Sequence, residues 1–174
     1  MNFTVLTIGT IIIVLFSWYL SIKHGRYHGI PRFFSFESIF IMVLMNLNVW
    51  FRHPFSLVQI VSWILLILSA YVAVEGFLQL KKFGKSDKNF ENTSNLVKSG
   101  LYRYIRHPMY CSLLLLGTGV MFKDPGFVQL MLGAVNFTAL IFTARIEEKE
   151  MLSKFGEQYS DYIRETKMFV PYIV

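Results

Sequence analysis

Charged residues flank an apolar segment in the carboxyl-terminal half of the chain at both of its ends. The segment is entered through residues 96–110, LVKSGLYRYIRHPMY, which include the triplet Arg106-His107-Pro108. The apolar segment is followed at its other end by Arg145, Glu147 and Glu148. A helical hairpin returns its two ends to the same face of a membrane, and neither cluster is needed for a hairpin to insert. The pattern therefore indicates a site at the mouth of a hairpin.

The two clusters have complementary chemistry. Arg106 and His107 precede a helix, where unpaired backbone N–H groups and the helix dipole attract a carboxylate or a phosphate. Glu147 and Glu148 are adjacent carboxylates, which repel each other unless a cation, an ammonium group or hydroxyl donors lie beside them. A ligand with a carboxylate, an ammonium group, ribose hydroxyls and a positively charged sulfur suits both clusters. S-adenosylmethionine carries all four groups.

Composition places these clusters in a membrane protein. The chain has 174 residues, of which 54% are hydrophobic and 16% charged, and its mean hydropathy is +0.47. A membrane-spanning helix needs roughly 20 mostly apolar residues. Five apolar runs approach that length: Phe3 to Ile22, Phe36 to Phe51, Phe55 to Leu80, Met109 to Phe122 and Phe127 to Ala144. We predict an all-α integral membrane protein with five transmembrane helices, the short fourth one extended back to Ile105.

The distribution of basic residues predicts the orientation. If the amino terminus is outside, fifteen of the seventeen Lys and Arg residues fall on the cytoplasmic side, and only Arg52 and Lys123 remain outside. The positive-inside rule requires such an asymmetry. We therefore expect the carboxyl terminus and the site in the cytoplasm. The net charge of +6 is interpreted as an orientation signal and an attraction to anionic membrane lipid, with no nucleic-acid partner.

Two further features limit the possible chemistry. Cys111 is the single cysteine, which excludes disulfides within the chain and thiolate metal clusters, and we expect no metal. The triplet Arg106-His107-Pro108 also occurs at residues 52–54, where no acidic partner is near. Since the topology places residues 52–54 on the opposite face, we interpret them as an interfacial anchor.

Each residue of the site also has a structural interpretation. Arg106 can anchor a helix end among lipid headgroups, and the tyrosines of residues 96–110 can form an aromatic belt. The glutamates after the fifth span can form a solvated helix face that pairs with Lys149 and Lys154. Only their combination favours a binding site.

That combination resembles a known family. The matching residues are Leu96, Val97, Gly100, Tyr102, Arg106, His107, Pro108, Tyr110, Glu147, Glu148, Phe155, Gly156, Tyr159, Tyr162 and Pro171. In this order and spacing they resemble the isoprenylcysteine carboxyl methyltransferase family and its phospholipid N-methyltransferase relatives. The resemblance covers about residues 96–174. It implies a membrane enzyme that binds S-adenosylmethionine, releases S-adenosylhomocysteine and takes a lipophilic or prenylated acceptor from between its helices.

The resemblance also implies roles for individual residues. The residues expected to form the cofactor site are His107, Pro108, Tyr110, Glu147 and Glu148, with Gly100 and Tyr102 on a covering loop. The residues expected to act in catalysis, at the acceptor's head group or in closing the site, are Arg145, Tyr162 and Arg164. We expect one integrated membrane domain, in which residues 1–95 hold helices one to three and a cytoplasmic loop and residues 96–174 form the methyltransferase core.

The methyl acceptor is left open by the sequence. O-methylation of an isoprenylcysteine carboxylate is the first expectation, and N-methylation of a phospholipid or S-methylation of a small thiol are the alternatives. A membrane reductase or a non-enzymatic membrane scaffold are the rival classes. The amino-terminal half, which shapes the choice of acceptor, is short compared with the family pattern.

Overall fold

Six α-helices make up most of the chain in the computed structural model, which describes residues 2–84 and 95–171. The helices are α1 (Phe3–Leu20), α2 (Gly29–Asn46), α3 (Leu57–Phe83), α4 (Pro108–Met121), α5 (Phe127–Phe155) and α6 (Glu157–Glu165). Among the described residues, extended pairing is limited to one parallel bridge between Ile105 and Lys167. The predicted all-α class is confirmed.

Four of the helices, α1, α2, α3 and α5, are long and apolar enough to cross a membrane. Helix α4 is apolar but has only 14 residues, fewer than the roughly 20 that a full span needs. The five apolar helices expected from the sequence are therefore present, four of them at full length. The protein is an integral membrane protein.

Helix α2 begins earlier than the sequence pattern predicted. It starts at Gly29, whereas the apolar run starts at Phe36. Pro31 is tolerated in the first turn because a helix leaves those N–H groups without partners in any case. Arg32 and Ser35 are buried among neighbouring helices, although they interrupt the apolar pattern. The predicted boundary was wrong because polar residues that bond inside a bundle look like loop residues in a sequence.

The predicted ends of the hairpin also needed correction. Helix α4 begins at Pro108 and not at Ile105, because the residue before a proline is kept out of the helical region; His107 accordingly has φ −124° and ψ 63°. On the other side, α5 continues to Phe155, well beyond the predicted end at Ala144. The glutamate pair therefore lies on a continuous helix.

Hydroxyl groups of α3 hold the short helix α4. Ser62 Oγ donates to the carbonyl oxygen of Gly119 at 2.6 Å, and Ser69 Oγ donates to that of Ser112 at 2.8 Å. All four residues are buried. Hydrogen bonds satisfy these polar groups where water is excluded, so the two helices are fixed in register along most of α4.

Polar contacts join the helices at both ends of the bundle. At one end, Arg26 between α1 and α2 donates to Glu150 of α5 at 3.1 Å. At the other end, Lys123 Nζ donates to Gln59 Oε1 at 3.1 Å and lies 3.7 Å from the ring centre of Trp63. The predicted site residues all belong to the first end.

Candidate active site

The two charged clusters of the α4–α5 hairpin are in direct contact. Arg106 Nε donates to Glu148 Oε1 at 2.6 Å. His107 Nε2 lies 3.3 Å from the same carboxylate oxygen, and its Nδ1 lies 3.8 Å from Glu147 Oε2. His107 is thus held between two carboxylates that belong to successive positions of α5.

The segment after α6 closes over these residues. Arg106 Nη1 donates to the carbonyl oxygens of Thr166 and Ile163. The backbone N–H of Arg106 donates to the carbonyl oxygen of Lys167 at 2.8 Å, and that of His107 donates to the carbonyl oxygen of Met168 at 3.1 Å. Arg106 therefore ties the carboxyl-terminal segment to α4, whereas the sequence had suggested that it binds an anion.

Tyrosine side chains cover the site on the side of α6. Tyr162 Oη donates to the carbonyl oxygen of Tyr102 at 2.6 Å. Tyr159 packs edge to face against Tyr162, with ring centres 5.8 Å apart. Burial is the main cause that raises the pKa of Tyr102, Tyr159 and Tyr162 above the ordinary value. All three hydroxyls therefore stay neutral at physiological pH, and that of Tyr162 is already used as a donor to Tyr102.

A cavity of about 330 Å³ lies between the six helices and is also lined by the loop before α4. Most of its wall is apolar or aromatic. The charged and titratable groups of the wall, apart from the tyrosines, are Arg32, Arg106, His107 and Glu147. The size and the few polar groups in an apolar wall are typical of a small-molecule site.

The structure brings half of the predicted site residues into this wall, namely Tyr102, His107, Tyr110, Glu147 and Tyr162. Tyr110 stacks on His107 with ring centres 5.4 Å apart. The remaining predicted residues lie outside the wall.

Glu148 and Pro108 lie immediately behind the cavity wall. Glu148 supports Arg106 and His107 through the contacts described above, and Pro108 is fully buried as the first residue of α4. Both residues therefore position groups that line the cavity.

Gly100 has a backbone role. Its φ is +58°, a value that side-chain-bearing residues rarely adopt, and a Cβ there would come 1.9 Å from Gln79 Nε2. Gln79 Oε1 in turn accepts the N–H of Leu101 at 2.9 Å. Gly100 thus lets the loop before α4 dock on α3.

Arg145 and Arg164 are exposed. The Arg164 guanidinium lies 3.5 Å from Asp161, and the two side chains are 78% and 63% exposed. The structure does not bring either arginine to the cavity wall, and their assignment to the acceptor stays a prediction.

Several residues of the wall were not predicted from the sequence, among them three on the first two helices. Phe16 of α1 and Arg32 and Phe36 of α2 line the cavity opposite α4. An arginine close to an apolar run was the available signal, because an ionisable residue in a membrane helix is expensive unless it has a function or a partner. Arg32 lies before the second apolar run, which begins at Phe36.

Comparison with known proteins places this chain in a family. The family model described as phospholipid methyltransferase matches residues 57–158, more than half of the chain. The chain is similar to protein-S-isoprenylcysteine O-methyltransferase A of Arabidopsis thaliana, at 32% identity over 132 residues, 71% of this chain and 61% of that protein. It is also similar to protein-S-isoprenylcysteine O-methyltransferase of Rattus norvegicus, at 30% identity over 146 residues, 80% of this chain and 48% of that protein.

A third relative has a different acceptor in its name. Methanethiol S-methyltransferase of Mycobacterium tuberculosis (strain ATCC 25618 / H37Rv) is 29% identical over 72 residues, 41% of this chain and 29% of that protein. The chain spans less than two thirds of the length of all three relatives. The family model and the two isoprenylcysteine relatives agree with the resemblance found in the sequence. The chain belongs to the phospholipid methyltransferase family.

Proposed function

We propose that this protein is a membrane methyltransferase that uses S-adenosylmethionine to methylate a lipophilic acceptor, with an isoprenylcysteine carboxylate as the first candidate. The observation that carries the proposal is the cavity, in which His107 and Glu147 meet an apolar wall between membrane helices. The names of the relatives supply the reaction class. A polar end and an apolar wall match a cofactor and a lipid chain bound in one cavity.

The residues present suit S-adenosylmethionine. Glu147 presents a carboxylate to the cavity, which can accept hydrogen bonds from ribose hydroxyls or from an ammonium group. The faces of Tyr102 and Tyr110 suit a positively charged sulfur, because aromatic faces attract cations. When bound, S-adenosylmethionine supplies an electrophilic methyl group, whose transfer to an acceptor oxygen leaves the bonding electron pair on the departing sulfur.

The chain's own contribution is alignment and exclusion of water. Glu147 and Glu148 hold His107 in one orientation through the contacts already described. The buried Tyr162 and Tyr102 close the site on the side of α6, so that water does not compete as an acceptor. A carboxylate acceptor arrives ionised and needs no base. An amine or a thiol must lose a proton, for which His107 or a glutamate is available.

The proposal extends to orientation and to the division of the chain. With the amino terminus outside, the site faces the cytoplasm, where fifteen of the seventeen basic residues lie. Residues 96–174 form the methyltransferase core and residues 1–95 shape the entry of the acceptor. Arg145 and Arg164 are kept as candidates for its head group.

Calorimetric titration of detergent-solubilised protein with S-adenosylhomocysteine tests the proposal. We expect the wild type to bind, Glu147→Gln to bind roughly tenfold more weakly because a charge-assisted hydrogen bond is lost, and His53→Ala to bind like the wild type. His53 is the control because it is exposed at the opposite end of the bundle. No binding by folded wild type would refute the proposal and favour a scaffold or a reductase.

Acceptors are then compared with labelled S-adenosylmethionine. A prenylated cysteine, an aminophospholipid and a small thiol represent the three classes that the sequence left open. Transfer to the prenylated cysteine alone is the expected result. Transfer to the thiol alone would favour the reaction named for the mycobacterial relative.

A further inference from the structure

The ring of His107 has a second aromatic neighbour besides Tyr110. His107 is 6% exposed, and its ring stacks on that of Tyr110. The ring of Phe169 lies 6.2 Å from the ring of His107, centre to centre, at an angle of 52°. Ring centres about 4.5–7 Å apart are those of aromatic side chains in contact. Phe169 therefore bears on the orientation of His107, although it lies beyond residues 57–158, which match the family model.

Phe169 is itself anchored in the core. It is 2% exposed and packs in a buried cluster with Tyr110, Leu140 and Ala144. Leu140 and Ala144 belong to α5, the helix that also carries Glu147. A ring packed at the density of a protein interior occupies one well-defined position. The position of Phe169 is therefore set by the fold before any ligand binds.

The backbone next to Phe169 also reaches His107. The N–H of His107 donates to the carbonyl oxygen of Met168, the residue before Phe169, at 3.1 Å. The N–H of Lys167 donates to the carbonyl oxygen of Tyr104 at 3.1 Å. The carbonyl oxygen of His107 accepts the N–H of Cys111 in α4 at 2.9 Å. The backbone of His107 is thus fixed from both sides, by α4 and by the carboxyl-terminal segment that carries Phe169.

We propose that Phe169 is a positioning residue, which holds the ring of His107 in the orientation that binding of S-adenosylmethionine requires. The inference rests on the proposed function and adds to it a residue that touches the site only through His107. Without the ring of Phe169, the His107 side chain can turn in the space left behind, and ligand binding must order it again. Ordering one side chain weakens binding roughly two- to tenfold.

Modification by diethyl pyrocarbonate tests the orientation of His107 without any ligand. The reagent reacts with unprotonated imidazole nitrogens, and mass spectrometry of peptides gives a separate rate for each histidine of the detergent-solubilised full chain. We expect Phe169→Ala to raise the rate at His107 several-fold. The rate at His28, which is 1% exposed at the same end of the bundle, should keep its wild-type value. Phe169→Leu preserves most of the apolar volume and is expected to raise the rate at His107 less.

Two further variants separate positioning from a general loss of packing. Val170→Ala is the matched control, because it removes apolar atoms from the same segment at a position that is 43% exposed, and it is expected to keep the wild-type rate at His107. Leu140→Ala opens the buried cluster of Phe169 but leaves the ring beside His107 in place. It is expected to lower Tm with a smaller rise at His107. An equal rise in Leu140→Ala would overturn the proposal, because loosening of the cluster would then account for the effect.

Calorimetric titration with S-adenosylhomocysteine connects the orientation to binding. We expect Phe169→Ala to bind it roughly two- to tenfold more weakly than Val170→Ala does. An unchanged rate at His107, or equal rises at His107 and His28, would overturn the proposal. Full affinity in a variant whose His107 has become reactive would overturn it as well. Failure of the folded wild type to bind would refute the proposed function, whereas wild-type binding that Phe169→Ala leaves unchanged would refute this inference alone.

Discussion

Replacing Glu148 with alanine removes the carboxylate that supports Arg106 and His107 from behind the cavity. The Arg106 and Glu148 side chains are 8% and 14% exposed, and their atoms Nε and Oε1 are 2.6 Å apart. Loss of one partner of a buried ion pair costs about 3–5 kcal/mol, and a hydrogen bond to a charged group contributes about 1.5–3 kcal/mol. Because this pair retains some exposure, we expect Glu148→Ala to lose about 2–4 kcal/mol of stability.

The assay is thermal unfolding, monitored by the fluorescence of a maleimide that reacts with Cys111 as this residue becomes accessible. Cys111 is the single cysteine and is partly buried in α4. A loss of that size corresponds to a fall in Tm of roughly 5–15 °C for a chain of this length. Asp161→Asn is the control, since its partner Arg164 is exposed and a surface pair contributes little. An unchanged Tm in Glu148→Ala combined with lost S-adenosylhomocysteine binding would refute a positioning role and make Glu148 a ligand contact.

Three further substitutions test the loop, the carboxyl-terminal helix and the exposed arginine. Gly100→Ala is expected to lower Tm and weaken S-adenosylhomocysteine binding, because a Cβ at φ +58° would meet Gln79; calorimetry showing full affinity would contradict the docking role of this glycine. Tyr162→Phe leaves the Tyr102 carbonyl without its donor, and we expect a loss of about 1–3 kcal/mol. Burial raises the pKa of Tyr162 above the value of about 10 that tyrosine has in the unfolded chain. The Tyr162 hydroxyl therefore contributes to stability below pH about 10, and this contribution is lost as the pH rises further. The fall in Tm above pH about 10 should be smaller in Tyr162→Phe than in the wild type, and an identical fall would refute this. Arg164→Ala is expected to raise the KM for the acceptor several-fold while S-adenosylhomocysteine affinity is kept, because one charge-assisted contact would be lost; an unchanged KM would remove Arg164 from the acceptor site.

The sequence predicted the helical class and the apolar runs because hydrophobic burial in lipid leaves a direct compositional signal. The apolar pattern placed the beginning of α2 too late, because Arg32 and Ser35 are polar residues that form hydrogen bonds inside the bundle. It also ended α5 at Ala144, because the following charged turns of that helix carry no apolar signal. Polar residues buried by tertiary contacts are thus the main source of the boundary errors.

For the site, the sequence indicated the contacts within the α4–α5 hairpin but not the contacts between helices that are distant in sequence. The two ends of a helical hairpin lie on the same side, which is why His107 and Glu147 could be placed together from their spacing in the sequence. The wall formed by Phe16 and Arg32 depends on how α1 and α2 pack against distant segments, and a single sequence carries no record of that packing. The exposure of Arg164 likewise follows from which face of α6 packs inward.

The shortness of α4 bears on how the protein meets its acceptor. Fourteen residues extend about 21 Å at 1.5 Å per residue, against a hydrocarbon layer of about 30 Å. Either the bilayer thins around α4 or one end of this helix is recessed below the headgroups. Under the proposed function, an acceptor dissolved in the leaflet would then reach the cavity by lateral diffusion. Turnover should then depend on the mole fraction of acceptor in the membrane, and dilution with inert lipid should slow it even when the total acceptor per volume is constant.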